Sequence, residues 1–224
     1  MSALIWIDTK KARLMPSTYK RSSLMQARLE HNKQAIFQAA RDLVAKGGFK
    51  EAQMLAIAET AGVSTGLIYR YYPNKNQLLV AILTQATEQE IHILNGIIAR
   101  EGECVVHKLR SAIMTFVCRA LTGPNLAYAF IAEPVDTTVE AERLRCRRLL
   151  SNTFKTLLLM GVEQEVFAIE DVDTTCACIV GSMLEGIISP VTPSTETTHD
   201  KVRVASWIAD FCVSAVSAKT KQAS

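Results

Sequence analysis

The segment from residue 64 to residue 72, STGLIYRYY, concentrates hydroxyl, aromatic and basic side chains. Arg70 and the nearby Lys75 can neutralise phosphates, and Tyr69 can donate a hydroxyl hydrogen bond to one. Thr65 offers both a hydroxyl and a methyl group, which suit a base edge or a thymine methyl in the major groove of DNA. No acidic residue interrupts the segment, whereas a solvated protein surface usually includes some. This chemistry indicates contact with a nucleic acid.

Three more residues of the segment extend this contact surface. Gly66 has no side chain, so the backbone can approach base edges closely, and Tyr71 carries a further hydroxyl donor. Ser64 is a natural helix N-cap, and the helix end that it opens presents unpaired N–H groups and the positive end of the helix dipole to phosphate. The alternative is a small helical core that merely carries tyrosines on its surface.

The sequence before this segment predicts two helices that can support it. Apolar residues recur at helical spacing over residues 28–46, and Gly47-Gly48 ends that helix. A short helix is predicted over residues 53–62. Its inward side is expected to consist of Leu55, Ala58 and Ala61.

The segment itself is predicted to be a third helix, because its apolar residues do not alternate as a strand requires. Ile68 and Tyr72 lie four residues apart and therefore share one side, which we expect to pack on the two preceding helices. Pro73 ends the helix, since the residue before a proline avoids the helical region. Three helices with a short turn before the last are typical of a helix-turn-helix.

The stretch AIAETAGVSTGLIYRYYPNKNQLL resembles the DNA-binding domain of the tetracycline-repressor (TetR) family of bacterial transcription regulators. The resemblance covers roughly Arg28 to Leu83. It implies that the DNA contacts of the family fall on Ser64, Thr65, Gly66, Tyr69, Arg70, Tyr71 and Lys75. Where the family often has a phosphate-binding threonine at the start of the second helix, this chain has Gln53-Met54. Gln53 can still donate a hydrogen bond there.

The resemblance also implies an all-helical body that binds a small-molecule effector and forms a homodimer. We therefore expect a repressor that binds a near-palindromic double-stranded DNA operator, with two recognition helices about one DNA turn, ~34 Å, apart. The effector would change the distance or angle between the two heads through the fourth helix, about Lys75 to Arg100. An activator or an architectural DNA-binding protein of the same fold is the alternative.

Charge divides the chain unevenly. Up to residue 75 it carries twelve Lys and Arg and five Asp and Glu, whereas the remainder carries thirteen and seventeen. A basic end joined to a mildly acidic body suggests that only one end meets a polyanion. We expect a flexible basic arm (1–24), a helix-turn-helix domain (25–74) and a helical ligand-binding and dimerisation domain (75–224). A translation start at Met25 would remove the arm.

The body is predicted to contain six helices, at about 75–100, 104–121, 125–133, 137–160, 170–189 and 198–218. Gly161 and Pro190 are among the expected breaks between them. The last two helices are apolar on more than one side, although a surface helix needs only one apolar stripe. We therefore expect a paired four-helix interface made by Cys176, Val180, Met183, Ile187, Trp207, Ile208 and Phe211. A fully buried helix within one subunit is the alternative.

A ligand pocket between the helices is expected to draw on Met114, Phe116, Cys118, Tyr128, Phe130, Phe154 and Met183, any of which can instead be plain core. Arg143 and Arg147 continue an apolar stripe, and an arginine in such a place needs a partner. Three interpretations remain open: a solvated surface, an internal ion pair with Glu133 or Glu140, or a ligand anion. An acyl or aromatic acid, or its coenzyme A thioester, would suit the last.

Other classes of function find little support. The six cysteines form no Cys-x-x-Cys pair, the four histidines are scattered, and no nucleophile elbow or phosphate loop is present. We therefore expect no catalytic site, no metal and no cofactor. No apolar stretch is expected to reach the ~20 residues that cross a bilayer. The prediction is a cytoplasmic protein without a membrane partner, associated with the nucleoid when bound to DNA.

Overall fold

The computed structural model describes residues 17–193 and 200–217, with side chains from residue 25 onward. These residues form an all-α fold with one isolated bridge, between Phe167 and Ser217, which confirms the predicted fold class. The helices are α1 (Ser17–Gly47), α2 (Met54–Ala61), α3 (Thr65–Tyr71), α4 (Lys75–Ile98), α5 (Val105–Thr122), α6 (Pro124–Ile131), α7 (Thr137–Glu163), α8 (Val172–Val191) and α9 (Lys201–Val216).

Helices α1, α2 and α3 form the helix-turn-helix, which we call the head. Ile36, Ala40 and Val44 follow the helical repeat of α1 and are buried against Ile57 of α2 and Ile68 of α3. Burial of these side chains removes apolar surface from water, and this fixes the three helices relative to one another.

Glycines make the two turns of the head possible. Gly48 and Gly62 have φ values of 86° and 66°, in the left-handed region that favours glycine. The N–H of Gly48 donates to the carbonyl of Val44 at 2.7 Å, which closes α1. After Gly62, the side chain of Ser64 accepts the N–H of Leu67 at 3.2 Å and caps α3, as its residue type predicts.

Two details of the head differ from the sequence prediction. Helix α1 begins at Ser17 rather than Arg28, so it includes part of the segment assigned to the arm, while residues 1–16 lie outside the described residues. Leu55 is 64% exposed, so its predicted inward position is wrong. Ile57 and Ala58 are buried instead. Because α2 has only eight residues and carries apolar residues on several sides, the periodicity of its sequence does not show which side packs inward.

The body consists of α4 to α9 around a second core. Helix α5 lies in its centre and contacts α4, α7, α8 and α9. Leu109, Ile113 and Val117 of α5 are buried together with Leu157 of α7 and Ala209 of α9. The predicted bounds of the six body helices agree with the structure to within a few residues.

Two predicted breaks lie inside helices. Gly161 belongs to α7, where the ring of Phe167 lies against its Cα, and Pro190 belongs to the last turn of α8. A glycine placed for close approach and a proline near a helix end both fit a helix, so neither residue type marks a boundary by itself.

The expectation that no apolar stretch is long enough to cross a bilayer is wrong for α8. By length and composition alone, this helix could cross a membrane. A core helix of a globular protein meets the same criterion. In this structure α8 contacts α5, α6, α7 and α9, and Ile179, Met183 and Ile187 are buried among them.

The two cores meet without a clear boundary at residue 74. Leu78, Leu79 and Ile82 of α4 belong to the core of the head, and so do Ala129 of α6 and Val139 of α7. Three helices that carry the body are therefore also packed into the head.

We predict that Gly161→Ala lowers the free energy of unfolding by about 1–3 kcal/mol, because the added Cβ would overlap the buried ring of Phe167. Gly96→Ala is the matched control. Gly96 lies in α4 with open space around its Cα, so alanine should raise the free energy of unfolding by about 0.5–1 kcal/mol. Denaturant titration at one protein concentration measures both, and a stabilising Gly161→Ala would contradict this packing.

Candidate nucleic-acid interface and ligand cavity

Helix α3 exposes the side that the sequence assigned to contact. Ile68 and Tyr72 are buried against α1 and α2, which turns Tyr69 and Arg70 outward, and Tyr69 is 50% exposed. Thr65 is partly exposed and Gly66 is exposed at the N-terminal end of the helix. The structure thus brings these residues onto one continuous surface.

Gly66 has room for a side chain in the free protein. A Cβ added there would reach only the hydroxyl oxygen of Ser64, at 4.0 Å. The fold itself therefore does not require glycine at this position, and any steric need for glycine must come from a bound partner.

Tyr71 and Tyr72 have internal roles. The hydroxyl of Tyr71 donates to the backbone carbonyl of Leu29 on α1 at 3.0 Å, so its proton is engaged within the head. This geometry favours positioning of α3 rather than donation to phosphate. Tyr72 lies in the core as predicted; burial raises the pKa of its hydroxyl, and the charge of Glu30 raises it further.

Gln53 and Lys75 flank α3 at two helix N-termini. Gln53 precedes α2, is exposed and donates its side-chain amide to the carbonyl of Lys50 at 2.8 Å. Lys75 opens α4, where Asn74 caps the helix by accepting the N–H of Gln77 at 2.9 Å. Partial burial lowers the pKa of Lys75, while the charge of Glu133 opposes that shift.

A cavity of about 360 Å³ lies between α4, α5, α6, α7 and α8, and Arg41 of α1 reaches its edge. Five of the nine predicted ligand residues line it: Phe116, Cys118, Phe130, Arg143 and Arg147. The other four, Met114, Tyr128, Phe154 and Met183, do not line it. They pack in the core of the body, because a methionine or aromatic at helical spacing serves packing equally well.

Sequence reasoning missed most of the cavity wall. Leu83 and Thr87 of α4, Leu126 of α6 and Leu184 of α8 also line it. These are ordinary helix residues, and nothing in the sequence distinguishes them from other buried positions.

One side of the cavity carries an ion pair between α4 and α5. The guanidinium of Arg119 donates from Nη2 to Oε1 of Glu90 at 2.7 Å and from Nε to both oxygens at 3.0 Å. This hydrogen bonding raises the pKa of Arg119. The side chain of Arg41, by contrast, makes no hydrogen bond or ion pair with any residue in the described part of the chain.

Arg143 is only 6% exposed, so the solvated interpretation is wrong for this residue. Its Nη1 donates to the carboxylate of Glu140 at 2.6 Å, which is the expected internal ion pair. Its Nη2 donates to the backbone carbonyls of Ala129 at 3.0 Å and Glu133 at 2.9 Å, at the end of α6. The Nε atoms of Arg143 and Arg147 are buried and have no partner among the described residues.

Helix α6 connects the cavity to the head. The carboxylate of Glu133, just after α6, accepts the N–H of Phe49 at 2.7 Å and that of Lys50 at 3.1 Å, in the turn between α1 and α2. At the other end of α6, the amide of Asn125 donates to the carbonyl of Lys46 at 2.8 Å. The sequence analysis placed the connection in α4 and did not identify this second route.

The outer side of α8 and α9 forms an apolar surface, which we call the α8–α9 face. Trp207 is 61% and Phe211 is 64% exposed, and both border a groove. The rest of the groove is lined by Gly181, Ser182, Glu185, Gly186 and Ile208. Cys176, Val180, Met183 and Ile187 are buried within their own subunit, so their predicted place in an interface is wrong. The larger residues of α8 point inward, and its small residues lie outside.

Comparison with known proteins links the head to one family. Residues 36–82 match the family model described as "Bacterial regulatory proteins, tetR family". The HTH-type transcriptional repressor KstR of Rhodococcus jostii is 37% identical over 86 residues, which are 36% of this chain and 41% of that protein. The matched region is therefore less than half the length of that relative.

Two longer matches concern regulators from Bacillus subtilis. The fatty acid metabolism regulator protein is 25% identical over 185 residues, which are 81% of this chain and 93% of that protein. The crystal structure of the transcriptional regulator FadR in complex with stearoyl-CoA matches with a TM-score of 0.69 at 22% identity, over 81% of this chain and 98% of that chain. At this identity the structural likeness shows the fold alone.

We predict that Glu133→Gln weakens the attachment of the α1–α2 turn, because the substitution removes the charge that the N–H groups of Phe49 and Lys50 face. The free energy of unfolding should fall by about 1–2 kcal/mol. Amide hydrogen exchange at these two residues should accelerate. Glu170→Gln, at an exposed position, is the control. Unchanged exchange in the Glu133 variant would show that the contact is dispensable.

Proposed function

We propose that this chain is a homodimeric repressor of the tetR family that binds a near-palindromic operator and is released by a small-molecule effector. The match of residues 36–82 to that family supports the proposal. The observation that carries the proposal is the position of α3. Ile68 is buried in the head, while Tyr69, Arg70 and Gly66 are exposed together without an acidic residue among them. Such a surface suits the phosphates and base edges of a duplex.

The proposed contacts divide into two kinds. Ser64, Thr65 and Gly66 meet base edges or the nearest phosphate at the N-terminal end of α3. Tyr69, Arg70, Lys75 and Gln53 position the head on the phosphate backbone. Tyr71 serves this surface mainly through its hydrogen bond to Leu29, which holds α3 against α1.

The α8–α9 face supports the homodimer. Exposed aromatic side chains such as Trp207 and Phe211 are costly to leave in water, and both border a groove with small residues that permit close approach of another helix. The guanidinium of Arg203 lies 4.9 Å from the ring centre of Trp207 and holds it in place. A two-fold axis through this face would present two α3 helices to one side of the duplex.

The cavity supports the effector, and α6 supports its action on DNA binding. A molecule in the cavity touches α4 and α6, and both are packed into the core of the head. An effector can shift the equilibrium only if it prefers one arrangement of the heads. We propose that it favours an arrangement that two half-sites of the operator cannot accept.

We propose a repressor rather than an activator because KstR, one of the relatives, is named a transcriptional repressor. An activator or an architectural DNA-binding protein would use the same α3 surface. The protein acts where the DNA is, in the cytoplasm, and needs no membrane partner. Expression of a reporter from the selected operator, with and without this chain, separates the alternatives: a repressor lowers it and an activator raises it.

The first experiment is selection of duplexes from random DNA by the purified chain. The proposed function predicts recovery of two inverted half-sites whose centres lie about one helical turn apart. Recovery of random sequence, or no binding to any duplex at modest ionic strength, would contradict it.

We predict that Tyr69→Phe and Lys75→Ala each weaken binding to the selected duplex, while thermal unfolding changes little. Loss of one phosphate contact by Lys75→Ala should reduce the slope of log affinity against log salt by about one unit. Lys201→Ala, at an exposed position at the start of α9, is the charge-matched control and should leave the slope unchanged. An identical slope for the Lys75 variant and the parent protein would rule out the phosphate contact.

We predict that Phe211→Glu converts the protein to a monomer, because it places a charge in the apolar α8–α9 face. Sedimentation velocity over a range of protein concentrations measures the change. Leu144→Glu introduces the same charge at an exposed leucine of α7 and should leave the dimer intact. A dimeric Phe211 variant, or a monomeric parent protein, would refute the proposed interface.

A further inference from the structure

We propose that the cavity binds an organic carboxylate, with its carboxylate group held by Arg143 and Arg147 and its apolar part among Phe116, Phe130 and Leu150. That this ligand acts as the effector rests on the proposed function. The new element is the chemical class of the ligand. The volume of the cavity favours a small free acid over a larger conjugate.

The first observation is the state of the two arginines. The Nε–H groups of Arg143 and Arg147 are buried without an acceptor. A buried donor without a partner is costly, and more so when it belongs to a charged group. A carboxylate is the acceptor that suits such donors best, because hydrogen bonds between ionised groups are about twice as strong as neutral ones.

The second observation is the charge of the cavity wall. Four arginines and a single acidic residue, Glu90, line it. Glu90 is engaged by Arg119, and Glu140 is engaged by Arg143 from outside the cavity. Arg147 and Arg41 have no acidic partner in the described residues. An uncharged ligand would leave this excess of positive charge in place, whereas an anion would reduce it.

The third observation is size. The cavity volume of about 360 Å³ lies near the lower end of the roughly 300–1,000 Å³ that is usual for small-molecule sites. Decanoate and 3-phenylpropanoate are small acids that are apolar beyond the carboxylate. The coenzyme A part of a thioester is several times larger and would have to lie outside.

The site also has a direct connection to the head. The same guanidinium of Arg143 donates to the carbonyls of Ala129 and Glu133, and the carboxylate of Glu133 holds the turn between α1 and α2. A carboxylate that draws Arg143 toward the cavity competes with these carbonyls. The end of α6 then loosens its hold on the head, which links occupation of the cavity to DNA binding.

Calorimetry with the full-length chain tests the proposal. The probes are decanoate and 3-phenylpropanoate, each compared with the alcohol of the same carbon skeleton. Both acids should bind more tightly than their alcohols. Arg147→Met should weaken acid binding roughly 10- to 100-fold, because it removes a charged donor but keeps most of the volume. The affinity for the alcohols should be the same in the Arg147→Met variant and in the parent protein.

Arg148→Met is the matched control, because Arg148 is exposed and does not line the cavity. Its affinity for the acids should stay within about twofold of the parent protein. Arg143 is unsuitable for substitution, since three of its hydrogen bonds are structural and its variant could fail to fold. Equal affinity for acid and alcohol, no binding of either acid, or unaltered acid binding by Arg147→Met would overturn the proposal.

Binding of the selected duplex, measured separately, distinguishes this failure from that of the proposed function. Release of the duplex by decanoyl-coenzyme A without binding of decanoate would refute the carboxylate site and leave the regulator intact. Binding of decanoate through Arg147 without binding of any duplex would support the carboxylate site and refute the repressor.

Discussion

The hold of α6 on the head depends on one buried cation. Arg143 is almost fully enclosed, and protein interiors accept such a charge only when hydrogen bonds and a counter-charge surround it. Glu140 supplies the counter-charge, and the carbonyls of Ala129 and Glu133 supply the acceptors. These bonds fix the end of α6, and the carboxylate of Glu133 then fixes the turn that carries α2 and α3. The α3 surface proposed to meet DNA and the cavity inside the body are thereby joined by a short chain of polar contacts.

This arrangement gives the two domains a shared element rather than a hinge. Helix α6 lines the cavity with Leu126 and Phe130, yet Ala129 is buried in the core of the head. Packed cores shift between discrete arrangements more readily than they deform continuously. A ligand in the cavity therefore has a physical route to α3 through α6 as well as through α4. The strength of this coupling is set by how much better the ligand fits one arrangement than the other.

Local signals in the sequence were sufficient to predict the helices and to predict which side of α3 is exposed. The N-cap Ser64 and the four-residue spacing of Ile68 and Tyr72 determine which side of that helix is exposed. Most of the cavity wall could not be predicted, because it joins residues that are far apart in the chain, such as Glu90 and Arg119. The error at α8 has a different cause: periodicity identifies an apolar stripe, but it does not show whether that stripe packs inside its own subunit, as it does here, or on a partner.

Thermodynamic reciprocity tests most directly whether binding in the cavity and binding of DNA to the α3 surface are coupled. Binding of the selected duplex is measured with and without saturating decanoate, and binding of decanoate is measured with and without the duplex. Coupling requires that each ligand lowers the affinity for the other by the same factor, on the order of 5- to 150-fold. Affinities that are equal in the presence and absence of the other ligand would contradict the account.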